Sequence, residues 1–173
     1  MATSALISAS DYLRMSFEHD AEFVDGRIEE RPMPDRDHSD LQSQLLLLLN
    51  QPSFKTWFIC RSELRVRVSE SNYRIPDLCI LRAGAPREQN VVTPPLLCIE
   101  IQSPDDTMPN TLVRVRDFLA MGVPEVWIFD PRKRTVQVCA GDQVTEHISG
   151  SLTVPGTPAS ISIPEVFSVL DAA

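Results

Sequence analysis

Between Leu96 and Gln102 the chain reads LLCIEIQ, an apolar run of strand length with a glutamate and a glutamine set inside it. Burying a polar group with no partner costs roughly 2 to 7 kcal/mol, and an isolated carboxylate costs more. Any fold that buries this strand must therefore also supply Glu100 with compensation. Side chains two apart on a strand point the same way, so Cys98, Glu100 and Gln102 share one face while Ile99 and Ile101 occupy the other. An earlier strand, IPDLCIL, places Asp77 directly after Pro76, whose missing N–H suits a strand start or an edge. If the two strands are neighbours, Asp77 and Glu100 meet at one end of a sheet.

The rest of the chain supplies the layers around such a sheet. A short helix starts near Ser8 or Ser10 and carries Tyr12, Leu13 and Met15. EFVDGRIEE centres a hairpin on Asp25-Gly26, a dipeptide that supplies the positive φ angles of a tight turn, and places Glu22 on its first arm. HSDLQSQLLLLLNQ reads as a helix whose leucines 45–49 circle more of its surface than an amphipathic stripe needs. That surplus implies a buried helix or a subunit contact, and a homodimer is expected on that ground.

WFIC and ELRVRVS then read as strands, the second with Leu64, Val66 and Val68 on one face and Arg65 and Arg67 on the other. TLVRVRDFLAMG is a helix with Leu112, Val115 and Leu119 on one side and Gly122 at its end. EVWIFD and TVQVCA form a hairpin, with Trp127 and Phe129 in the core and Arg132 to Arg134 as a solvated turn, and ISIPEVFSVLDAA closes the chain. Helices interleaved with strands predict an α/β (α+β) fold with one central mixed sheet flanked by helices. With 173 residues, 43% of them hydrophobic, one domain spanning residues 1–173 is expected.

A formal net charge of −8 works against indiscriminate attraction to nucleic acid, so any surface for a polyanion must be local. Cys60, Cys79, Cys98 and Cys139 stand singly in apolar runs without CxxC spacing, which predicts reduced core thiols. The N-terminal residues lack a basic and apolar leader pattern, and no run is long enough to span a membrane, so a cytoplasmic location is expected.

Two carboxylates at one sheet end repel, raising one pKa, unless a cation lies between them. Magnesium suits such a place, with manganese as the alternative, because it takes oxygen ligands and is commonly held by only one or two protein carboxylates. The other reading is a structural ion pair between Glu100 and an arginine such as Arg114. Composition and spacing leave both open.

PDLCIL, PPLLCIEIQSPDD and RVRDFLAMGVPEVWIFDPRKRTVQV, taken in order, resemble the Uma-two family of bacterial restriction-endonuclease-like proteins, a branch of the PD-(D/E)XK nuclease superfamily. EFVDGRIEE, HSDLQSQLLLLL and ISIPEVFSVL extend the resemblance over nearly the whole chain. It implies a restriction-endonuclease-like core, a magnesium-dependent endonuclease and DNA as substrate. Asp77 then stands for the first metal-binding acid and Glu100 for the second, with Glu22 approaching the same site. The superfamily's lysine, two residues after the second acid, falls on Gln102, and the lysine that this branch uses on the next helix falls on Arg114. Arginine keeps its proton, so Arg114 stabilises phosphate charge and is a poor general base, while Gln102 can only orient water. The alternative is a nuclease fold without catalysis, acting as a dimeric binding module. His38 is either a surface residue or, by resemblance, close to the cleft. Arg61, Arg65, Arg67 and Arg74 form either a phosphate-contacting stripe or an ordinary solvated strand face.

Overall fold

The computed structural model describes residues 6–171. The reading of the N-terminal leader pattern rests in part on residues 1–5, and the closing segment ends at residues 172 and 173; these lie outside the described residues.

The short helix α1, Ala9–Arg14, is capped by Ser8, whose hydroxyl accepts from the Asp11 N–H. The hairpin β1, Ala21–Val24, and β2, Arg27–Glu30, turns through Asp25 at φ 48° and Gly26 at φ 80°, the left-handed pair that this dipeptide favours. Helix α2, Arg36–Leu49, starts at Asp35, which accepts from the His38 N–H at 2.9 Å. Next come β3, Phe58–Ser62, β4, Val66–Arg67, β5, Tyr73–Arg74, and β6, Leu78–Arg82, and then β7, Leu97–Ile101. Helix α3, Met108–Met121, is capped by Thr107 and ends on Gly122 at φ 108°. The chain continues through β8, Val126–Asp130, β9, Thr135–Ala140, β10, Gln143–His147, β11, Ser151–Thr153, and β12, Ser160–Ser162, to α4, Ile163–Phe167.

The main sheet has the order β10-β9-β8-β7-β6-β3, with β7 and β8 parallel and every other neighbouring pair antiparallel, so it is mixed as expected. A parallel pair requires a crossover, and α3 supplies it. Alternation sorts the strands onto two cores. Leu78, Ile80, Leu97, Ile99, Ile101, Trp127 and Phe129 pack with the leucines of α2 and with α4, whereas Cys79, Cys98, Val126 and Ile128 pack with Val115 and Phe118 of α3. All four cysteines are buried and unbridged.

Two expectations change. ELRVRVS does not extend the main sheet: Glu63, at φ 53°, ends β3 and turns the chain, leaving only β4, which joins a second sheet of order β2-β1-β5-β4. The leucine surplus of α2 is also taken up within the chain, because Leu41, Leu45, Leu48 and Leu49 are buried and Leu47 is the large exposed member at 69%. The premise for a homodimer is largely spent on the chain's own core. Strand β10 carried no sequence signal, since its residues Gln143 to Glu146 are all exposed and show no apolar alternation. Among the described residues, no helix is long and apolar enough to cross a membrane.

Candidate active site

The β6–β7 register pairs Leu78 with Ile99, which sets Asp77 opposite Glu100 one step further along, both on the α3 face of the sheet. Each is 1% exposed. The Ile101 N–H donates to Asp77 Oδ2 at 2.6 Å, so the start of β6 is tied to the end of β7 through the side chain itself. Asp77 Oδ1 accepts from the Arg31 guanidinium and lies 3.3 Å from His38 Nε2. Burial works against the Asp77 charge, but His38, Arg31 and the Ile101 N–H together hold its pKa down at about 2.

Glu100 has weaker support. Its Oε2 accepts from Arg114 Nε at 3.0 Å, while Oε1 is buried with no hydrogen-bond partner among the described residues. Burial and the neighbouring Asp77 charge outweigh Arg114 and lift the Glu100 pKa to about 7. Two carboxylates facing each other thus differ in protonation, one fixed as the anion and one poised near neutrality.

Arg114 is itself held by Asp106, and Thr111 Oγ1 accepts from the Gln102 side-chain amide at 2.5 Å while donating to Asp106 Oδ2 at 3.2 Å. The turn between β7 and α3 closes on these contacts. Glu22 lies on β1 of the second sheet and is buried; its Oε1 accepts from the Ile75 N–H at 2.9 Å and its Oε2 accepts from Arg74 Nη1 at 2.7 Å. Arg74 Nε reaches Asp117 on α3 at 2.7 Å, so one buried guanidinium ties the hairpin to that helix.

The sequence-expected residues fall into this frame unevenly. Asp77, Glu100 and Arg114 come together as expected, and the arginine pair foreseen for Glu100 is present. Gln102 is 5% exposed with its amide committed to Thr111, and Glu22 is committed to Arg74 and Ile75. His38 is no surface residue: it is 7% exposed and beside Asp77. The arginine stripe is not there, because Arg74 is 3% exposed inside ion pairs and Arg65 sits over the Tyr12 ring at 4.9 Å.

Arg31, Asp106 and Thr111 were not found by sequence reasoning. An arginine in the breaker-rich segment RPMPD carries no pattern that separates it from a solvated loop cation. Arg31 and Pro32 line two clefts at once. One, of about 270 Å³, includes His38, Glu63 and Asp77, and the other, of about 450 Å³, includes Glu22, Arg74, Asp106 and Arg114.

As a metal centre, the donor set is sparse. Among the described residues, no group of three or more His, Cys, Asp and Glu side chains is gathered to hold an ion. Asp77 with the unpartnered Glu100 Oε1 fits a hard cation that keeps most of its water, and does not fit one that needs three or four protein ligands.

A family model described as "Uma2: Putative restriction endonuclease" matches residues 9–170. The chain belongs to the Uma2 family. Among solved structures this Uma2 chain is similar to "a putative nuclease belonging to DUF820" from Anabaena variabilis, at 26% identity and a TM-score of 0.83, over 95% of this chain and 99% of that one. A DrdV–DNA complex is matched at 10% identity and a TM-score of 0.36, over 77% of this chain and 12% of that one. No curated protein matches. The Uma2 chain thus has the mixed α/β, restriction-endonuclease-like fold expected from its sequence, with Asp77 and Glu100 at the strand ends.

Proposed function

We propose that this Uma2 protein is a divalent-metal-dependent endonuclease that hydrolyses DNA phosphodiester bonds. The observation that carries the reading is the facing pair Asp77 and Glu100 beside two arginines, with one carboxylate oxygen left buried and unpartnered among the described residues. Asp77 and Glu100 would hold magnesium or manganese, which when bound lowers the pKa of water and offsets phosphate charge. Arg114, oriented from two sides by Glu100 and Asp106, stays charged at every working pH and supports the developing phosphate charge. Gln102, anchored to Thr111 through its amide, has its carbonyl oxygen left to orient water. Glu22 acts one step removed, fixing Arg74 and through it α3. A single catalytic domain in the bacterial cytoplasm is the setting proposed for this activity. The homodimer is left out of the reading, because α2 buries most of its leucines within the chain.

A second reading, a nuclease fold retired to binding, is favoured by one observation: Arg31 and Arg114 already neutralise both acids. Plasmid nicking with magnesium or manganese separates the two. Nicking by the wild type and its loss in Asp77→Ala and Glu100→Ala supports the nuclease. Equal nicking by all three sinks it, and calorimetry that registers no metal heat on the intact fold favours the binding module.

A further inference from the structure

The clefts beside Asp77 and Glu100 are poor places for a phosphate backbone. The smaller is lined by Glu18, Asp20, Glu63 and Asp77 against one arginine, and the other by five carboxylates against three arginines. Such walls attract a divalent cation and, beyond the one phosphate that a cation and Arg114 would engage, offer a polyanion little grip. On a chain of net charge −8, a DNA strand needs its cations elsewhere.

They are concentrated in one place. A third cleft, about 680 Å³ and larger than those two, runs along the β3 edge of the main sheet and is walled by the loop that follows β6. Lys55, Arg61, Arg82 and Arg87 line it, with Ile59 and Leu64 among its apolar surface. Its one acid, Glu88, is turned back onto the Val92 and Thr93 N–H groups at 2.8 and 3.0 Å. Nine of the chain's Lys and Arg side chains make no ion pair among the described residues, and four of those nine line this groove.

The groove is also aligned with the acids. Arg61 pairs in register with Cys79, two residues from Asp77, so Arg61, Asp77 and Glu100 share one face of the sheet. Trp57 is 43% exposed, and its carbonyl accepts from the N–H of the groove residue Ala83 at 2.9 Å, which puts an aromatic surface at the margin of the cations.

We propose that this groove holds the phosphate backbone of a DNA strand, with Lys55, Arg61, Arg82 and Arg87 contacting phosphates and Trp57 offering a stacking face. The assignment rests on the nuclease reading and adds where the substrate is gripped. Phosphate contacts position a strand without reading its sequence, and stacking tolerates any base. The groove therefore supplies affinity and direction, and leaves sequence choice to other surfaces.

The test is fluorescence anisotropy of a labelled oligodeoxynucleotide, single-stranded and as duplex, in EDTA at low salt. Arg61→Glu/Arg82→Glu is expected to weaken binding by more than tenfold and to flatten the salt dependence by about one unit of slope per lost phosphate contact. Arg36→Glu/Arg116→Glu, which reverses two exposed cations outside the groove, is expected to change binding by less than threefold. Trp57 emission should fall on binding, and Trp57→Phe should abolish that signal. Circular dichroism confirms that each variant is folded.

Equal losses in both double variants reduce the effect to net charge and overturn the groove. Undiminished binding in the groove variant, with nicking intact, also overturns it while the nuclease reading stands. A wild type that neither binds nor nicks DNA removes both. Capture of polyglutamate with no capture of DNA assigns the groove to an acidic protein partner and overturns the proposal.

Discussion

Glu100 holds Arg114 at 3.0 Å through one carboxylate oxygen and keeps the other buried, with no partner among the described residues. The acid is therefore easier to protonate in the folded protein, at about 7, than in an unfolded chain, where the ordinary value is 4.5. Below 4.5 it is neutral in both states and its contribution to stability is complete. As the pH rises through 7 the unfolded state releases the proton first and that contribution is lost. Glu100→Gln removes this dependence. Its urea stability relative to wild type should improve between pH 5 and pH 8 by on the order of 1 to 3 kcal/mol. A difference that stays flat across that range would show that Glu100 ionises normally.

Arg31 is the guanidinium paired with Asp77. Removing one partner of a buried pair leaves an uncompensated charge, so Arg31→Ala should cost on the order of 3 kcal/mol. The same change frees Asp77 Oδ1. Manganese should then raise the melting temperature of Arg31→Ala by more than it raises that of wild type. Identical metal shifts would mean that Arg31 does not compete for the carboxylate.

Arg74 lies buried between Glu22 and Asp117. Arg74→Met should destabilise by roughly 3 to 5 kcal/mol, chiefly by leaving Glu22 buried and unpaired. Adding Glu22→Gln should restore part of the loss, with a coupling above about 1 kcal/mol in the double-mutant cycle. Strictly additive losses would remove the ion pair as the cause.

Arg114→Ala should lower the nicking rate by about 100-fold while leaving DNA affinity within a few-fold of wild type, as expected of a group that acts on developing charge. A drop in affinity with an unchanged maximal rate would reassign Arg114 to substrate binding.

What the sequence made legible follows the strength of local pattern. The apolar alternation of LCIEI and LCILR fixed which side chains share a face, and that was enough to bring Asp77 and Glu100 together once the strands paired. Asp25-Gly26 and Gly122 mark their turns by backbone chemistry that few other residues match. Arg31 was missed, and His38 stayed open between the surface and the cleft, because their burial depends on contacts 46 and 39 residues away, with no local periodicity to announce them. The arginine stripe failed for a related reason: alternation identifies the face of a strand but not what covers that face, and Arg74 lies under α3 and the hairpin.

The crossover through α3 has a consequence for the order in which the site is assembled. Glu100 and Arg114 are 14 residues apart and Gln102 and Thr111 are 9 apart, whereas Arg31 and Asp77 are separated by 46 and Glu22 and Arg74 by 52. Contacts of short sequence separation close at lower entropic cost. The arginine that supports phosphate charge should thus be docked on its acid before the guanidinium on Asp77 arrives. In folding kinetics Thr111→Ala should slow folding, with a φ-value above about 0.5, and Arg31→Ala should mainly speed unfolding. The reverse ranking would place the nucleus in the hairpin and α2. On this ordering a full-length refolding chain acquires its arginine–glutamate half-site while Asp77 is still open to solvent, so the acid most able to capture a cation is the last to be shielded.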